Sequence, residues 1–183
     1  MDTKLDQTCA QIVADQIDDY LHAEVLFYPV STKGGMELPP LTIGNWLETE
    51  WRLNIVVPGD PALVAARTEV QRVRIGLPDL YQNKVRREFK SRLDTWTLWL
   101  TDQANDADPQ RAYGKNPAYA IQVHVRLKLE LLRDNVPQPD VQLMRLLAAD
   151  DDLRRHLKSS GFVWESELAA AAPQNKWWWL YGA

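Results

Sequence analysis

Along the first stretch of the chain, Leu5, Cys9, Ile12, Val13, Ile17, Tyr20, Leu21 and Val25 recur three and four apart, while Asp6, Asp15, Asp18, Asp19 and Glu24 occupy the remainder. That spacing predicts an amphipathic helix over about 3–26. Pro29, Gly34, Gly35, Pro39 and Pro40 follow within residues 29–41, a density of helix breakers that reads as a loop. Ile43, Leu47, Trp51 and Ile55 then step by four, with Thr42 placed to cap and Glu48 one turn before Arg52, which predicts a helix over 43–56.

Asp60-Pro61 is a strong helix start: a carboxylate accepts from orphan amides, and a proline at the first position gives up a donor that had no partner anyway. Leu63, Ala66, Val70 and Val73 form its stripe, and Gly76 is expected to close it in the left-handed conformation. Pro78-Asp79 opens the longest element, over 78–103, in which Tyr81, Val85, Phe89, Leu93, Trp96 and Leu100 step by three or four. The polar stretch 103–116, with Pro109 and Gly114, reads as a loop.

From Ile121 to Leu131 the pattern is double. Ile121, Val123, Val125, Leu127, Leu129 and Leu131 alternate with polar residues, as in a strand. Asn116-Pro117 as a start, Arg126 four before Glu130 and the good helix formers of 127–132 favour a buried helix over 117–134. Pro137 and Pro139 restart the chain into helices near 140–148 and 151–160, ended by Gly161. The expectation is a mainly α fold: one irregular helical bundle over 1–183 with a C-terminal aromatic cap. The alternative is α+β, with strands near 25–30, 120–131 and 177–181.

Composition changes this picture little: 45% hydrophobic and 25% charged residues are globular proportions for 183 residues. The lone Cys9 removes an intrachain disulfide framework and a cysteine zinc site, and fits a reducing, cytoplasmic location. No apolar run is long enough to suggest a membrane span. A net charge of −4 argues against a chain wholly dedicated to nucleic acid.

Candidate chemistry is sparse. No phosphate loop, dinucleotide fingerprint, nucleophile elbow, zinc-protease helix or calcium loop occurs, which points away from an enzyme and implies no cofactor. His22, His124 and His156 fall on three different helices, with Asp18 one turn before His22, so a bundle metal site is a minor alternative with no bundle di-metal spacing to support it. Lys84, Arg86, Arg87 and Lys90 on the 78–103 helix are a candidate phosphate-tracking face, the basis of a second reading as a nucleic-acid-associated accessory protein. The leading candidate is the run Trp177, Trp178, Trp179, Leu180 and Tyr181, whose rings must dock somewhere. The expected function is a non-catalytic interaction protein that binds another protein chain, or a symmetric copy, through Trp177, Trp178, Trp179 and Tyr181.

Overall fold

In a computed structural model, residues 2–30, 38–105, 118–136 and 141–182 are described. The expected roles of Gly34-Gly35, Pro109, Gly114, Asn116-Pro117, Pro137 and Pro139 lie outside those residues. The architecture is a mainly α helical bundle of α1 (Thr3–His22), α2 (Ile43–Val56), α3 (Pro61–Gly76), α4 (Pro78–Asn105), α5 (Tyr119–Arg133), α6 (Val141–His156) and the short α7 (Ser166–Ala169). A 3-10 turn, Trp178–Tyr181, follows. Among the described residues there is no strand, and the one strand-like feature near 25–30 is an isolated bridge between Tyr28 and Leu41. The alternating segment is helical as α5, and the aromatic run turns as a 3-10 helix, so the α+β alternative does not hold. Helix-forming Leu, Arg, Lys and Glu outweigh the alternation, because both patterns bury Val123, Leu127 and Leu129.

The chain divides into two compact units, Met1–Glu88 with Asp134–Val136, and Phe89–Arg133 with Pro137–Ala183. In the first, α1 packs on α2 and α3. Helix starts follow the sequence: the Thr42 hydroxyl accepts from the Asn45 amide, and the Asp60 carboxylate accepts from the amides of Ala62 and Leu63. Two details differ from the sequence reading. Gly76 ends α3 without a left-handed backbone, and the cap is Leu77 at φ −131°. The buried face of α2 is Ile43, Trp46, Thr49 and Leu53, with Leu47, Trp51 and Ile55 only half-buried. A strict four-residue step overshoots the 3.6-residue turn and drifts off the core.

Asp6, read as a solvated position, is buried with Glu48, and both are bound by Arg52: Nε and Nη2 to Asp6 at 2.9 and 2.5 Å, Nη1 to Glu48 at 2.7 Å. The guanidinium fork thereby ties α1 to α2. Arg67 bonds Glu50 at 2.6 Å in a half-buried pair, and Arg72 bonds Asp18 at 2.8 Å in an exposed pair that adds little stability.

In the second unit, the residues of α4 from Phe89 onward bury Phe89, Leu93, Trp96 and Leu100, as the spacing predicts. Trp99 lies 5.9 Å from the Tyr119 ring on α5, and Arg145 on α6 reaches Asp94 on α4 at 3.0 Å. The helices expected near 140–148 and 151–160 are one continuous helix, α6, since nothing between Ala148 and Asp151 breaks it.

Candidate functional site

The C-terminal segment is held by a cluster built on Arg126. This guanidinium, 2% exposed, bonds Asp150 on α6 through Nε and Nη2 at 2.8 and 2.7 Å. It also meets Glu130, one turn on along α5, at 3.1 Å, and its carbon lies 3.8 Å from the centre of the Trp179 ring. A cation covered on its face by an indole and met at its edge by two carboxylates is satisfied electrostatically where water does not reach. The Tyr119 hydroxyl donates to the Trp179 carbonyl at 2.6 Å, and burial pushes that phenol well above the ordinary tyrosine range.

Backbone bonds complete the attachment, from the Ser160 amide to the Tyr181 carbonyl at 2.8 Å and from the Val163 amide to the Leu180 carbonyl at 2.9 Å. A Cβ added at Gly182 would meet the Leu157 side chain, so the backbone at Gly182 packs closely on Leu157. Of the four aromatic residues expected to contact a partner, Trp177 and Trp179 are therefore buried in their own unit. Trp178 and Tyr181 are half-buried, with Arg154 4.5 Å over the Trp178 ring.

Tyr181 also begins a row of rings that the sequence reading did not single out. Its ring lies 5.2 Å from Phe162, Phe162 lies 6.3 Å from Trp164, and Trp164 stacks on His124 at 4.3 Å. All four are half-buried, and the Trp164 indole donates to the Ala120 carbonyl at 2.9 Å, which fixes the ring on α5. Ile121, 69% exposed, lies one turn before His124 on the same helix. The available signal in the sequence was Phe162-x-Trp164 beside the aromatic run, but nothing in spacing alone says that these rings meet.

The other candidates are placed differently. Lys84 is buried: its ammonium donates to the carbonyls of Ala23 and Val25 at 2.7 and 2.6 Å and lies 4.4 Å from the Tyr20 ring centre. It caps the end of α1, where the helix dipole favours a cation, and burial with the nearby Arg87 lowers its pKa. Arg87 is exposed and donates to the Glu24 carbonyl at 3.1 Å, Lys90 pairs with Asp94 at 2.6 Å, and Arg86 is exposed. Of the four, Lys84 is therefore turned inward and not open to a phosphate.

His22 sits against Asp18, with Nδ1 3.1 Å from its carboxylate, and His156 Nδ1 lies 2.9 Å from the Asp152 carbonyl. Among the described residues, no group of three His, Cys, Asp or Glu side chains is placed to share a metal ion. Burial, with Asp6 nearby, pushes the Cys9 thiol up to about 11, so it is a thiol and not a nucleophilic thiolate at neutral pH. Among the described residues, no helix is long and apolar enough to cross a membrane. Comparison with known families, curated proteins and solved structures finds no match to any of them.

Proposed function

We propose that this is a non-catalytic interaction protein that binds another protein chain, with the C-terminal aromatic segment contributing through the surface it leaves uncovered. The observation that carries this is the row Tyr181, Phe162, Trp164 and His124, four half-buried rings in succession on one unit. Tyrosine and tryptophan dominate interface anchors, because a rigid amphipathic ring buries much area at low entropic cost. Trp177 and Trp179 serve the reading indirectly, by holding the segment that presents Tyr181.

The test uses the full chain, since cutting before Trp177 would remove the cover of Arg126. Light scattering coupled to size exclusion reports whether a second copy covers the row. Co-purification from the host, followed by reconstitution with the purified candidate, reports whether a different chain does. Phe162→Glu combined with Tyr181→Ser is expected to weaken either complex at least about tenfold, or ~1.4 kcal/mol, while the variant stays folded by circular dichroism. A folded variant that binds like the parent chain would move the contact off this row.

A further inference from the structure

One end of the first unit brings three segments together. α1 and α3 run side by side in the same direction: Gln7 bonds Asp60 at 2.6 Å where both begin, and Arg72 bonds Asp18 at 2.8 Å where both end. The chain leaving α1 is tied to the first turns of α4, by Lys84 on the carbonyls of Ala23 and Val25 and by Arg87 on that of Glu24. Leu77 alone separates α3 from α4, and the Arg74 guanidinium near the end of α3 lies 5.9 Å over the Tyr81 ring.

Val25, Phe27, Ile75 and Leu80 stand on these segments and are 49, 45, 71 and 37% exposed. Among the described residues, the other large apolar side chain exposed in this unit is Val64, roughly three turns back along α3. Exposed apolar residues scattered singly are ordinary, but four of five gathered at one end are not. Beyond Tyr28 the described chain turns to a different side, where Val30, Pro39 and Pro40 line a cavity with Cys9, Ile12 and Asn45, between α1 and α2.

Charge says what fits this end. Along the flanks of the unit the arginines are already paired, Arg52 with Asp6 and Glu48, Arg67 with Glu50, and Arg72 with Asp18 and Glu69. Around the four apolar side chains, Arg74, Arg86 and Arg87 are exposed together with Asp19, Glu24 and Asp79, and among the described residues none of these six side chains is in an ion pair. Both signs in equal number about an apolar centre are matched by a second surface of the same composition. A two-fold axis supplies that surface, because each copy then sets its cations opposite the carboxylates of the other, twice over, while the apolar side chains meet between them.

We propose that this end of the first unit pairs two copies of the chain about a two-fold axis, with Val25, Ile75 and Leu80 packing on their counterparts and Arg86 and Arg87 of each copy facing Asp19 and Glu24 of the other. The surface belongs to a different unit from the aromatic row, and the inference does not depend on the function proposed for that row.

Sedimentation equilibrium of the full chain over a wide range of concentration is expected to show a monomer–dimer equilibrium that weakens as salt is added. Ile75→Asp raises the dissociation constant at least about tenfold, and Val64→Asp leaves it unchanged. Arg86→Glu with Arg87→Glu, and separately Asp19→Lys with Glu24→Lys, each give a monomer that stays folded by circular dichroism; the two lysines stand near the end of α1, where the helix dipole favours cations. Mixed in equal amounts, the two charge variants form a heterodimer, because both contacts regain opposite charges. A folding defect would not be repaired by mixing. A parent chain that stays monomeric, a dimer that survives Ile75→Asp and both charge variants, or charge variants that do not pair when mixed overturns the proposal. Loss of the dimer with Phe162→Glu and Tyr181→Ser overturns it in favour of the aromatic row, and a monomer that sediments with phosphatidylserine vesicles overturns it in favour of a membrane surface.

Discussion

Two arginines in different units of this chain, Arg52 half-buried and Arg126 buried, are built to the same plan. Arg52 on α2 joins Glu48, one turn away on its own helix, to Asp6 on α1; Arg126 on α5 joins Glu130, one turn away on its own helix, to Asp150 on α6. The difference lies in what covers the guanidinium. Arg52 keeps 20% of its side chain exposed, whereas Arg126 keeps 2% and carries the Trp179 ring across its face. In the first unit the fork links two helices. In the second it also anchors the C-terminal segment, so an apolar tail is fastened to a charge. The indole excludes water from the ion pairs, and the cation gives the indole a fixed partner.

The strongest way to break the parallel is Arg126→Met. It leaves Glu130 and Asp150, both half-buried, without the Arg126 counter-charge and removes the platform of Trp179. A loss of about 3–5 kcal/mol in urea unfolding of the full chain is expected, with lysine failing to rescue because it lacks the fork. Arg52→Met is the matched control. It leaves the buried carboxylates of Asp6 and Glu48 without their fork, so a loss of similar size, about 3–5 kcal/mol, is expected, and a clearly larger loss for Arg126→Met would measure what the tryptophan cover adds. Asp60→Ala tests a purely local element of the first unit and should cost about 1 kcal/mol through the lost cap of α3.

The smallest effect is a pH dependence. A hydrogen bond from Gln7, with the amides of Leu63 and Ala62, holds the Asp60 carboxyl below the usual range; Arg72 does the same for Asp18, and Lys90 with Arg145 for Asp94. Each group binds its proton more weakly in the folded chain than in the unfolded one. Its contribution is therefore fully present above the unfolded value near 3.9 and is lost as pH falls through the lower folded value. Urea midpoints should hold steady from pH 7 to about 5 and fall below about 4. Asp60→Asn keeps an acceptor at the cap but cannot titrate, so its decline should be shallower than that of the parent chain.

Much of the secondary structure was legible in the order of residues, because its determinants are local. Thr42 and Asp60 cap where their side chains can reach the next amides, Pro61 and Pro78 stand where a missing donor is harmless, and the apolar steps from Tyr81 to Leu100 mark α4 at the helical period. Polarity by itself misled at Asp6 and Lys84. Both look like solvent positions until Arg52 and the end of α1, 46 and about 60 residues away in sequence, supply the partners that let them be buried. The same holds for the tail. The sequence alone determined that Trp177 to Tyr181 had to leave water, since that much ring area cannot stay exposed. Only the tertiary structure decided that Trp179 would lie on Arg126 and that Tyr181 would meet Phe162 and Trp164, because those contacts join segments whose separation along the chain carries no periodic signal.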